Sequence, residues 1–139
     1  MTINDLKKLD EVVNSRLEWN KDNIDKVQMD INKLKIKILG EFSKHIDELK
    51  KLEVDKNNTY GSRFRYYNES YDRKFATRKD IEDMINQDQI YIDICKKYVE
   101  LETITDHLEK LLKIISETSW DMKNWVEIKK LWSNYGKLD

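Results

Sequence analysis

Proline is absent from this sequence, and glycine occurs three times, alanine once and cysteine once. All-β folds draw their turns from glycine and proline, so this scarcity argues against them. It also excludes collagen-like chains, mucin-like stalks and Pro-rich linkers. Cys95 alone cannot build a disulfide scaffold and fits a reducing, cytoplasmic compartment. No apolar run approaches the roughly 18 residues of a membrane span, and no signal-peptide core is visible, so no membrane association is expected. What is abundant is charge: 38% of the 139 residues are charged, yet the net charge is −1. Leu, Ile, Val and Phe supply 37 residues, too many for a disordered chain but below the usual globular share. Lys, Asn and Ile together supply 47, a bias of AT-rich coding that makes part of the lysine content drift. The length suits a single domain over 1–139.

The near-neutral total conceals a pattern. Residues 50–79 carry nine bases and four acids, whereas residues 80–93 carry five acids and no base. Four of the five arginines (Arg63, Arg65, Arg73, Arg78) and six of the fourteen aromatics fall in the first of these segments.

Apolar spacing predicts an all-α chain of long antiparallel helices with a short C-terminal helix. Ile3, Leu6, Leu9, Val12/Val13 and Leu17 form one stripe, with Asn4 or Asp5 as its cap. Ile24, Val27, Ile31, Leu34 and Ile38 step 3-4-3-4, a heptad seam. The stripe then runs on through Phe42, Ile46, Leu49 and Leu52. Asn57–Ser62 is the strongest breaker signal, but Tyr60, Phe64, Tyr67 and Tyr71 keep helical spacing across it, so a kink is expected more than a stop. The N-terminal helices are thus placed in 1–67, a basic exposed loop in 68–79 and the C-terminal helices in 80–136. Asn86 or Asp88 caps the long C-terminal helix, and Thr118 or Ser119 a final one holding Met122, Trp125, Ile128 and Leu131/Trp132. Seams on so thin a protomer predict self-association, through Ile24, Val27, Ile31, Leu34, Ile38, Trp125 and Trp132. The alternative is pairing within the chain.

No catalytic constellation is present. His45 and His107 stand on different helices without metal-ligand spacing. Asp55–Thr59 opens like a calcium loop but has Tyr60 and Tyr66 where the glycine and closing glutamate belong. Cys95 reads as a small buried hydrophobe. A non-enzyme without cofactor or metal is expected.

Arg63-Phe64-Arg65-Tyr66-Tyr67, followed by Arg73-Lys74 and Arg78-Lys79, has the chemistry of single-strand binding. Cations neutralise phosphates and release counterions, and aromatic faces stack on unpaired bases. Arginine suits both tasks because its guanidinium forks onto phosphate and stacks. Arg63, Arg65, Tyr66, Tyr67, Arg73, Lys74 and Arg78 are therefore the candidate nucleic-acid contacts. Two plainer readings stand beside this one. Phe64, Tyr67 and Tyr71 serve a core face, or the acids of 80–93 neutralise the bases within the chain or in a neighbour.

The same residues carry a family resemblance. Arg63 precedes the Tyr66-Tyr67 pair, a polar loop with Phe75 follows, and Asn86-Gln87-Asp88 starts a long helix. Trp120-Asp121-Met122-Lys123-Asn124-Trp125 then leads to Leu131-Trp132. This order resembles the UvsY recombination mediators of T-even-type phages, in pattern rather than identity, over residues 60–136. Thr118-Ser119-Trp120 replaces an Arg-Gly-Phe common there, and Gly61 replaces a basic residue. The resemblance implies an all-helical homo-oligomer, a ring of roughly six or seven subunits. It also implies single-stranded DNA, a phage single-strand-binding protein and a RecA-like recombinase as partners, in the cytoplasm of a host cell. The expected function is a mediator that helps load the recombinase onto covered DNA. The alternatives are a helical assembly or adaptor protein without DNA binding and, with nothing specific to recommend it, a phage inhibitor of a host protein.

Overall fold

The computed structural model describes residues 1–70 and 77–135. Its helices are α1 (Ile3–Arg16), α2 (Ile24–Arg65), α3 (Arg78–Asn86) and α4 (Gln89–Asn134), with a π-helical turn at Tyr66–Ser70. No strand occurs among the described residues.

Each helix start has a local cause. Thr2, not Asn4 or Asp5, caps α1, and Asp5 closes a capping box by accepting the Thr2 amide at 2.8 Å. Asn20 and Asn23 bond each other's backbone in the turn before α2, so that turn is built from side-chain amides in place of glycine. Thr77 and Asp80 form a second capping box on α3. Asp88 caps α4, as expected, by accepting the Ile90 and Tyr91 amides on Oδ1 at 2.9 and 3.3 Å.

Helix α2 crosses the Asn57–Ser62 breaker without interruption. Glycine costs about 1 kcal/mol in a helix interior, less than packing of the Tyr60 and Phe64 face returns. A Cβ added at Gly40 or Gly61 meets no atom within 4 Å. Gly40→Ala and Gly61→Ala are each expected to stabilise the protein by roughly 0.5–1 kcal/mol, read as a higher urea midpoint at constant slope. The 68–79 loop is corrected at both ends. Helical backbone reaches Ser70 and resumes at Arg78; Arg73, Lys74 and Phe75 lie outside the described residues. The short C-terminal helix is present as the last turns of α4, continuous with it. Thr118 does not cap it: its hydroxyl donates to the Ile114 carbonyl inside the helix.

The chain forms two compact units. One comprises residues 1–43 and 106–139. Among its described residues, Leu6 and Val13 of α1, Ile24, Val27, Ile31, Leu34 and Ile38 of α2, and Leu108, Leu111, Ile115 and Met122 of α4 are buried. The heptad seam is thus core of its own chain, and the expectation that these five α2 residues face another copy is corrected. Trp125 is half-buried edge-on to Trp19, whereas Trp132 stays 48% exposed. His107 meets Asp10 at 2.6 Å, tying α1 to α4.

The other unit is residues 44–105. Tyr67, Ile81 and Ile85 form its cluster, with Tyr60, Phe64, Met84 and Tyr91 packed around them. Here α2 and α4 are antiparallel, since Lys56 lies over Tyr98 and Tyr60 over Tyr91 while Arg63 reaches Asp88. His45 is buried at 2% exposure.

Candidate nucleic-acid interface

The second unit gathers the basic aromatic residues around one carboxylate. Oδ1 of Asp88 caps α4, leaving Oδ2 for α2. Arg63 donates to Oδ2 from Nε at 2.8 Å, and its Nη2 lies at the same distance. The Tyr67 hydroxyl donates to Oδ2 at 2.5 Å. Five donor groups on four residues, from three elements, therefore converge on a side chain only 5% exposed. Fork geometry of this kind requires arginine; lysine offers one point charge.

The electrostatics follow from the contacts. Burial works to raise the Asp88 pKa, but the Tyr67 hydroxyl, the Arg63 fork and the Tyr91 amide outweigh it and hold the carboxyl below its usual range. Burial and the Asp88 bond push the Tyr67 phenol up. Burial opposes charge on Arg63, yet its bonds to Tyr67 and Asp88 raise its pKa, so the guanidinium stays ionised.

The π-helical turn begins where the site does. Its wider winding turns successive side chains by a smaller angle than an α-helix does. Tyr66 and Tyr67 sit edge-to-face with centroids 5.1 Å apart. The Arg63 guanidinium lies 4.2 Å from the Tyr66 ring centre and 5.4 Å from that of Tyr67. Tyr67 is core at 7% exposure, but Tyr66 is 39% exposed.

The predicted contacts thus separate. Tyr67 is corrected to a core residue whose hydroxyl is bonded inside. Arg63 is largely enclosed, its side chain 20% exposed and paired with Asp88. Arg65 and Arg78 are exposed. Arg78 covers the Phe64 ring at 5.7 Å and meets Glu82 at 3.3 Å in an exposed pair, a geometry worth little. Arg73 and Lys74 lie outside the described residues. Acids of 80–93 therefore neutralise part of the basic segment within the chain, through Asp88 and Glu82. Asp88, read from sequence only as a cap, is the residue that sequence reasoning missed. Its signal was the acid run directly following the basic one. No group of three or more His, Cys, Asp or Glu among the described residues is placed to hold a metal, and no helix among them is long and apolar enough to cross a membrane.

Comparison with known proteins agrees with this architecture. Two crystal structures of the bacteriophage T4 recombination mediator protein UvsY share the fold. One aligns with a TM-score of 0.77 at 15% identity, covering 96% of this chain and 98% of that one. The other aligns with a TM-score of 0.74 at 15% identity, covering 91% and 97%. No curated protein matches the chain by sequence. The family model described as "Recombination, repair and ssDNA binding protein UvsY" matches residues 8–135. A match over nearly the whole length, on a fold shared with a member's crystal structures, settles the assignment: the chain belongs to the UvsY family.

Proposed function

We propose that the protein is a recombination and repair mediator that binds single-stranded DNA and helps a RecA-like recombinase replace the single-strand-binding protein. The observation that carries this reading is the family match across residues 8–135. Exposed arginines beside a half-exposed aromatic support it, since the match alone does not say where a strand would lie. Arg65 and Arg78 supply phosphate contacts, Tyr66 a stacking surface, and Arg73 and Lys74 extend the basic segment in sequence. Binding needs no catalysis. The protein constrains the strand, and several protomers acting together turn weak contacts into firm ones. Ile128, Leu131 and Trp132 on the last turns of α4, with Tyr135 just beyond it, leave large apolar area exposed, which favours a homo-oligomer, the ring that the family resemblance implies. The partners are then single-stranded DNA, the recombinase and the single-strand-binding protein.

Fluorescence anisotropy with a labelled oligothymidine tests the reading. Binding at low salt is expected, with the logarithm of affinity falling linearly with the logarithm of salt concentration, at a slope of about −0.7 per phosphate contact. No binding at low salt would leave the adaptor reading, a helical assembly without a DNA role.

A further inference from the structure

This inference rests on the single-strand-binding reading above and deepens it. Arg63 is one of the residues that the sequence marks as a candidate nucleic-acid contact. We propose instead that Arg63 is a positioning residue, which orients Tyr66 as a stacking surface while Arg65 takes the phosphate.

The placement of Arg63 argues against a phosphate role. Its Nε and Nη2 both face Asp88 Oδ2 at 2.8 Å. A phosphate would have to take both donors from a buried carboxylate oxygen that already accepts them. Asp88 cannot turn to water without giving up the Ile90 and Tyr91 amides at the start of α4 and the Tyr67 hydroxyl. The guanidinium is thus fixed along its donor edge. Its central carbon lies 4.2 Å from the Tyr66 ring centre, and Tyr67 meets the same ring in an edge-to-face contact. Tyr66 is therefore seated against two groups that are themselves anchored in the core, and it remains 39% exposed. A pre-oriented ring stacks with less loss of side-chain freedom than a mobile one. Arg65, two residues on in the last turn of α2, is exposed, so a phosphate can reach it without breaking the Asp88 cluster.

The two roles differ in salt dependence. A phosphate ligand contributes to the salt slope, whereas a stacking surface contributes affinity that salt does not remove. The experiment compares oligothymidine binding over a salt series for the full-length wild type, Arg65→Gln, Arg63→Gln, Arg63→Lys and Asp88→Asn, each checked for native helicity. Arg65→Gln is expected to flatten the log–log slope by about 0.7 for each protomer engaged. Arg63→Gln is expected to weaken binding several-fold at every salt concentration with the slope unchanged. Arg63→Lys should behave as Arg63→Gln does, because lysine lacks both the fork and the plane. Asp88→Asn should also weaken binding at constant slope.

The opposite pattern overturns the proposal. A flatter slope in Arg63→Gln restored by Arg63→Lys would make Arg63 a phosphate ligand. Tighter binding with a steeper slope in Asp88→Asn would mean that Asp88 competes with DNA. Should the variants not fold, the wild type labelled with 15N-arginine decides. The Arg63 Nε–H is expected to stay slow to exchange with solvent at saturating oligothymidine, and loss of that protection would overturn the assignment. A wild type that binds no single strand overturns the functional reading and this proposal together. A wild type that binds, with Arg63 in the slope, overturns this proposal alone.

Discussion

Asp88→Ala is expected to destabilise the protein by about 3–4 kcal/mol, the largest effect of any substitution at the candidate site. Losing an N-cap costs about 1 kcal/mol. Removing one partner of a buried pair costs roughly 3–5 kcal/mol because the other charge is stranded. Arg63 keeps some solvent, with its side chain 20% exposed, which places the loss toward the lower end. The two contributions share one side chain and do not simply add. Asp88→Asn should lose less, since asparagine caps well and its amide can still meet the Tyr67 oxygen. Urea unfolding followed by helical circular dichroism measures both. A double-mutant cycle with Arg63→Gln isolates the pair, and a coupling near zero would show that Asp88 acts as a cap alone.

The same cluster predicts a pH dependence. The Asp88 pKa is lower in the folded protein than in the unfolded chain. Its stabilisation is therefore complete above the unfolded value of about 3.9 and is lost as pH falls through the folded value. The urea midpoint of the wild type should drop from about pH 4 downward, and Asp88→Asn should lack this component of the drop. An equal decline in both would place the acid sensitivity elsewhere.

Ile31→Ala is expected to cost about 3–4 kcal/mol, within the range for aliphatic truncations in a packed core. Ile31 is 1% exposed and Ile38 the same, so Ile38→Ala should behave alike. The loss should persist unchanged as the protein is diluted, because the burial is within one chain. A loss that disappears on dilution would return the seam to an interface between copies. Trp132→Ala provides the contrast. At 48% exposure, its removal should change the unfolding of the dissociated chain by no more than about 0.5 kcal/mol. Any larger effect should appear in light scattering, as weaker self-association.

Both expectations turn on what a one-dimensional pattern can encode. Heptad spacing at Ile24, Val27, Ile31, Leu34 and Ile38 marks a stripe that must be covered. It is the same whether α4 of the same chain or another copy does the covering. The breaker at Asn57–Ser62 shows the complementary limit. Local propensity there opposes a helix by only a few kcal/mol, and α2 continues because Tyr60 and Phe64 pack against Ile81 and Ile85 from α3. From sequence the cap of α1 is misplaced at Asn4 or Asp5, although Thr2 and Asp5 have capping-box spacing with aspartate closing it.

By itself, the sequence determined the helical class, the apolar stripes, a cap at Asn86 or Asp88 and the concentration of arginines and aromatics after residue 59. Those follow from spacing and residue chemistry, which act over one or two turns. Only the tertiary structure decided which partner each stripe and each charge has. Arg63 and Asp88 lie 25 residues apart, and no local rule distinguishes that carboxylate from its neighbours at 80–93. Folding brings α2 and the start of α4 side by side, and the low-dielectric contact there holds Arg63 on Asp88 while leaving Arg65 in water. Scarce glycine and absent proline set the helices; their packing selected which of the arginines remains available to a ligand.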